Sequence, residues 1–318
     1  MSKILVVLPI SEEHKKQLIA AAPKAEFVFT NGQEVTRDEV QEAEVIVGAV
    51  NPKYIAKSSK LKLLQLQSAG IDMFMGEGIL AENTTLANAT GAYGQAVAEH
   101  MFAMMFAIQK KLTLYRDAQY SGKWEDLGSV TSLSGKTVLI VGLGDIGRYF
   151  ASLIKPFDTN IIGVKRRVEN DNKEVNRIIQ TKEIYEVLPE VDVVVSFLPG
   201  IPETTNIYNE KFFKTMKKTS IFLNGGRGSA VDQDALLSAL RNGEIFGAGL
   251  DVTNPEPLPS NHPLWKEEKV FITPHISGQY HLQETLDKIV NIATKNISNL
   301  YSGKSFINVM DVKTGLPK

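Results

Sequence analysis

No cysteine occurs among the 318 residues, which excludes disulfides, thiolate metal sites and cysteine nucleophiles and suits a reducing cytoplasm. Neither sign of charge is in excess. With 35 Lys and Arg against 36 Asp and Glu, the bulk electrostatics point to neither nucleic acid nor an anionic membrane. Long apolar runs are missing too: no uncharged stretch reaches the roughly 18 residues of a membrane span, and the Met-rich segment around His100 is interrupted by Glu99 and His100 itself. The opening MSKILVVLPI contains Pro9 and is followed by Glu12 and Glu13 rather than a small-residue cleavage pattern, so it reads as a first strand and not a signal peptide. Internal repeats and low-complexity segments are also lacking. Composition is otherwise ordinary, 43% hydrophobic and 22% charged, and the length suffices for two domains with separate cores.

What is present centres on the stretch from Gly135 to Arg167. A short β-branched run, Thr137 to Val141, has the length of a buried strand. Gly142, Gly144 and Gly147 follow at G-x-G-x-x-G spacing, and an amphipathic segment from about Ile146 to Lys155 starts inside the motif. The first glycine permits a tight turn, the second admits a pyrophosphate to the backbone, and the third lets helix pack on strand. Peptide N–H groups at the helix start then face the phosphates. After the next strand, Asn160 to Val164, an NAD-preferring site carries an acidic residue that binds the ribose hydroxyls. Here Lys165, Arg166 and Arg167 stand instead. Three cations attract a 2′-phosphate, so NADP(H) is the expected cofactor, with NAD(H) a possible second.

Residues 3 to 88 alternate short apolar runs with amphipathic segments, the rhythm of an open parallel sheet. Ser68-Ala69-Gly70-Ile71 follows one such run, at the strand end where ligands sit, and the N–H groups of Ala69, Gly70 and Ile71 could hold an anion. A single long helix is expected from Gln95 to about Tyr120, with Val97, Met101, Met104, Met105, Ile108, Leu112 and Tyr115 on one face. His100, beside Met101, reads as structural, and Trp124 as an aromatic anchor suited to a dimer contact. Beyond the glycine motif a third strand is expected at Val191 to Phe197, then a loop through Leu198, Pro199 and Thr204 beside the cofactor, then strands Ser220 to Leu223, Ile245 to Leu250 and Val270 to Ile272. The expected fold is α/β, with two doubly wound parallel-sheet domains. A Rossmann nucleotide domain (96–284) is inserted into a flavodoxin-like substrate domain (1–95 plus 285–318), which the final helix re-enters.

Three loops that follow strands each present one ionisable residue: Arg227, Glu256 and His275. Reducing a 2-oxo acid needs a cation to orient the carboxylate and polarise the ketone, and an acid to protonate the oxygen. Arg227 fits the first role and His275 the second, with Glu256 fixing the imidazole tautomer. Asp251 ends a strand nearby and could accept from a carboxamide or ribose. Together with the glycine motif, the runs Asn224-Gly225-Gly226-Arg227-Gly228, Gly249-Leu250-Asp251-Val252 to Pro259 and Thr273-Pro274-His275 resemble the D-isomer-specific 2-hydroxyacid dehydrogenases over essentially the whole chain. That resemblance implies a catalytic Arg227, Glu256 and His275, and a substrate-carboxylate clamp at Ala69-Gly70. It also implies cofactor contacts at Asp145, Ile146, Leu198, Pro199, Thr204, Gly225, Gly226, Asp251, Ser277 and Gly278, and a homodimer. Lys110 replaces a frequent Arg, and Asp158 a frequent Gly, which asks Asp158 to turn left-handed. With Lys165 in place of an acid and no regulatory domain expected after residue 318, the chain is similar to reductases of glyoxylate, hydroxypyruvate or a related 2-oxo acid. An NAD-using phosphoglycerate dehydrogenase and a nucleotide-sensing corepressor on the same scaffold are the competing expectations.

Overall fold

The structure is a computed structural model that describes residues 1–30, 32, 34–56, 58–166 and 173–318. Arg167, expected at the cofactor phosphate, lies outside the described residues. Two compact units divide the chain: Met1–Tyr93 with Tyr280–Lys318, and Gly94–Gln279.

In the first unit, β1 (Lys3–Val6), α1 (Glu12–Ala21), β2 (Glu26–Phe29), α2 (Arg37–Glu42), β3 (Val45–Val47), α3 (Pro52–Ile55), β4 (Leu63–Gln65) and β5 (Thr85–Ala87) succeed one another. Ser11 caps α1 by accepting from the His14 N–H, and Thr36 with Glu39 forms a capping box at α2, so side chains satisfy N–H groups that a helix start leaves unpaired. The strands pair in parallel in the order β2-β1-β3-β4-β5. Parallel strands are covered on both faces, and β3 and β4 are accordingly buried at every residue. Leu5, Ile46, Leu64 and Leu86 share one core cluster.

The second unit begins with α4 (Gly94–Gln109) and α5 (Leu112–Tyr120). It continues through β6 (Thr137–Val141), α6 (Asp145–Ile154), β7 (Asn160–Val164), β8 (Arg177–Ile179), α7 (Ile184–Val187), β9 (Val193–Ser196), α8 (Glu210–Thr215), β10 (Ile221–Asn224), α9 (Gln233–Arg241), β11 (Gly247–Leu250) and β12 (Val270–Ile272). Its parallel sheet runs β12-β11-β10-β9-β6-β7-β8, and the order of strand addition reverses between β6 and β9, the switch point where such sheets bind ligands. The last helix, α10 (Gln283–Ser302), belongs to the first unit. It lies on α1, with His14 Nε2 3.0 Å from Asp287 Oδ1 and Gln17 donating to Asn291 at 2.6 Å.

Two expectations change. The long helix is two helices, because Lys111 turns left-handed at φ 54 and the Lys110 and Lys111 ammonium groups donate to the carbonyls of Thr131 and Leu127. Past that break Leu112 is exposed, so the apolar period no longer marks a buried face. The strand Val193–Ser196 is also not the third of its sheet, because β8 precedes it at the edge. That three-residue strand starts at an arginine and is too short to display a period.

Candidate active site

The glycine loop divides its work among three residues. A Cβ on Gly142, which has φ +100, would meet the Phe197 backbone at 2.9 Å, and one on Gly147 would meet the Gly142 carbonyl oxygen at 2.4 Å. These two glycines are packing requirements. Gly144 differs, since its Cβ would face open space. It is also the N-cap of α6 and makes no side-chain cap, so the first-turn N–H groups of Asp145, Ile146 and Gly147 point out beside an unobstructed backbone. A pyrophosphate fits that cradle. The Gly142 and Leu143 N–H groups both donate to Val164, which puts Lys165 and Arg166 next to the cradle. Gly226 packs on Leu198 with 2.7 Å clearance for a Cβ, so the loops holding Leu198, Pro199, Gly225 and Gly226 meet the glycine loop around Phe197.

Two residues expected to contact the cofactor have their side chains engaged within the protein. The Asp145 carboxylate lies over Gly94, where an added Cβ would stand 3.0 Å from Oδ1, which leaves its backbone N–H for a phosphate. Thr204 uses its hydroxyl within its own loop, donating to the carbonyl of Pro199 at 2.7 Å and accepting from the Ile201 N–H at 3.2 Å.

His275 and Glu256 form a pair. Nδ1 of His275 stands 2.8 Å from Glu256 Oε2, while Glu256 Oε1 accepts from the Thr253 N–H at 3.0 Å. The carboxylate therefore accepts a hydrogen bond from Nδ1–H and leaves Nε2 as the outward nitrogen. The His275 side chain is 48% exposed, open enough to meet a ligand. A cavity of about 320 Å³ opens beside the pair, with Thr253, Leu258, Trp265 and Pro274 in its wall. Gly228 brings in the third residue: its Cβ would fall 1.9 Å from the Thr253 carbonyl oxygen, a close approach that seats the Arg227 loop against the Glu256 loop. Arg227 itself is half-buried, with Nη1 donating to the Gly226 carbonyl at 2.8 Å.

Asp251, expected to accept from the cofactor, has its carboxylate engaged by the loop of His275. It is 1% exposed, and its carboxylate accepts from the Thr273 hydroxyl at 2.7 Å, the Ile276 N–H at 3.0 Å, and both the N–H and the hydroxyl of Ser277. Four donors fill the four lone-pair positions of a carboxylate. The Ser277 hydroxyl is thereby committed as well, and Gly278 follows it half-buried.

In the first unit, Asn88 donates to the Ala69 carbonyl and the Ser68 hydroxyl to the Gly70 carbonyl, each at 2.6 Å. The Tyr93 hydroxyl, whose pKa burial pushes up, donates to the Gln67 carbonyl. Those bonds tie down the carbonyl side of the loop, and among the described residues no acceptor is found for the N–H groups of Ala69, Gly70 and Ile71. Such a row leaves three backbone donors without an acceptor among the described residues.

Residues 102–277 match the family described as D-isomer specific 2-hydroxyacid dehydrogenase, NAD binding domain. The chain belongs to that family. It is 30% identical to glyoxylate/hydroxypyruvate reductase B of Salmonella schwarzengrund over 82% of each chain. It is 28% identical to D-3-phosphoglycerate dehydrogenase of Methanocaldococcus jannaschii over 98% of this chain and 60% of that longer protein. A crystal structure of a family protein from Aeromonas salmonicida superposes with a TM-score of 0.85 at 28% identity, covering 98% of this chain and 99% of the other. The dehydrogenase fold and NAD(P)-dependent chemistry follow from membership. Sequence reading missed the supports of this dehydrogenase's site. Gln233, at the start of α9, pairs with both the N–H and the carbonyl of Asn254 and so holds the Glu256 loop. Asn224 binds the Gly226 N–H and the Arg227 carbonyl, fixing the Arg227 loop. Amide side chains at element ends carry no periodic signal, so only the fold reveals them.

Proposed function

We propose that the protein reduces a small 2-oxo acid, glyoxylate, hydroxypyruvate or a close relative, to the D-2-hydroxy acid. The single observation that carries the reading is the 2.8 Å contact between His275 Nδ1 and Glu256 Oε2. It leaves Nε2 to deliver a proton to the substrate oxygen while the carboxylate stabilises the imidazolium form. Arg227 pairs with the substrate carboxylate and polarises the ketone. The N–H row of Ala69, Gly70 and Ile71 supplies backbone donors suited to a substrate carboxylate. NADP(H), the preferred cofactor, supplies the hydride when bound. The α6 N-terminus holds its pyrophosphate, and Lys165 and Arg166, with Arg167, take the 2′-phosphate. A homodimer is the expected assembly.

The relative from Methanocaldococcus jannaschii supports a second reading, a phosphoglycerate dehydrogenase that uses NAD. A panel of 2-oxo acids that includes 3-phosphohydroxypyruvate, run with NADPH and NADH in parallel and followed at the nicotinamide absorbance, separates the two. Consumption of NADPH with glyoxylate or hydroxypyruvate is the expected result. His275→Ala is expected to abolish turnover while NADPH binding, read by nucleotide fluorescence, survives. Near-normal rates in that variant would overturn the assignment of the acid.

A further inference from the structure

His275 has φ 51, a left-handed conformation that a residue with a Cβ rarely adopts. Its own N–H donates to the Asp251 carbonyl at 2.7 Å, and the Asp251 carboxylate grips Thr273, Ile276 and Ser277 on either side. The direction of that carboxylate therefore determines where the imidazole stands. One further residue bears on it. His100 Nε2 lies 3.0 Å from the Thr273 hydroxyl oxygen and 3.8 Å from Asp251 Oδ1.

The Thr273 hydroxyl has a single proton, and a carboxylate 2.7 Å away only accepts, so that proton goes to Asp251. Toward His100 the same oxygen must then accept, which places a proton on Nε2. The chain is directional: His100 Nε2–H to Thr273 Oγ1, Thr273 Oγ1–H to Asp251 Oδ1. Its origin is on α4, a helix seated independently of the loop, because Met101 packs on Gly225 and Met104 on Gly249 at the ends of β10 and β11. His100 thus refers the acid-bearing loop to a fixed element.

We propose that His100 is a positioning residue for the acid, acting through Thr273 on Asp251. The inference rests on reading His275 as that acid. His100→Leu removes the N–H, whereas His100→Gln keeps one at a similar reach. The leucine variant is expected to lose kcat by about tenfold, the scale of a small misplacement of a reacting group, with NADPH affinity unchanged and the glutamine variant restoring most of the rate. Thr273→Val is expected to match the leucine variant, Thr273→Ser to stay near wild type, and His100→Leu with Thr273→Val to be no slower than Thr273→Val alone. Additive losses, or a glutamine variant as slow as the leucine one, would overturn the proposal.

A readout without substrate keeps it separate from the functional reading. The His275 ring resonance, identified by its absence in His275→Ala, is expected to move in His100→Leu and in Thr273→Val but hold in His100→Gln. A resonance that does not move in either variant overturns the proposal whatever the turnover. A resonance that moves in a protein that reduces no 2-oxo acid leaves the positioning role standing and removes the proposed function. If His100→Leu does not fold, the two Thr273 variants carry both measurements.

Discussion

At the residue scale, the glycines separate packing from binding. Gly144 has an ordinary φ of −94 and nothing near its absent Cβ, so Gly144→Ala leaves the fold intact and places a methyl where a pyrophosphate approaches. The melting temperature is expected to stay and NADPH affinity to fall by an order of magnitude or about 1.4 kcal/mol. Gly228→Ala puts a methyl 1.9 Å from the Thr253 carbonyl oxygen. Backbone there has to move, at roughly 1–3 kcal/mol, and a lower melting temperature by differential scanning fluorimetry is expected before any assay is run. The turn at Gly142 and the close packing at Gly147 were legible because the glycine spacing encodes them. Asp251 and Thr204 were not, because which atom a carboxylate or hydroxyl meets depends on loops brought from elsewhere in the chain. Asp158 shows the converse: its left-handed φ of 55 was readable from residue type and position.

At the element scale, the five-stranded sheet is pinned at its N-terminal edge by charge. Glu44, just before β3, binds the Lys62 ammonium and the Ser2 hydroxyl, which precede β4 and β1. Burial pushes its carboxyl up, but the hydrogen bonds from Lys62 and Ser2 and the Lys62 charge together hold it below the usual 4.5. A depressed folded-state value stabilises the protein fully above 4.5, and that contribution disappears as the pH falls through it. Glu44→Gln is therefore expected to be less stable than wild type at neutral pH, with the gap in urea melts narrowing as the pH is lowered below 4.5 and through the depressed folded-state value. Strand positions in this unit were largely readable from their apolar runs, whereas β5 here and β8 in the other unit open on Thr85 and Arg177 and leave only two apolar residues each to mark them. The helix break at Lys111 was hidden for another reason: the apolar period continues in sequence through Leu112 and Tyr115 after the backbone has already turned.

At the scale of the whole molecule, the two units own separate cores, and that of Gly94–Gln279 includes Leu139, Val194, Phe222 and Leu250 from its central strands. A fragment of residues 94–279 is expected to melt cooperatively and to bind NADPH through the α6 N-terminus. Calorimetry and nucleotide fluorescence check both halves of that expectation, and a fragment that unfolds without the rest would show the cores to be interdependent. The sequence by itself determined the alternation of strand and helix, the glycine turn and the position of Arg227, Glu256 and His275 in loops that follow strands, since periodicity, glycine spacing and strand-end position are local properties. Only the tertiary structure decided that Asp251 serves the loop of His275, that Gln233 and Asn224 brace the other two loops, and that His100 reaches Thr273. Hydrogen bonds between residues far apart in the chain exist only once folding has made them neighbours, and residue type alone does not say which partner each polar atom will meet.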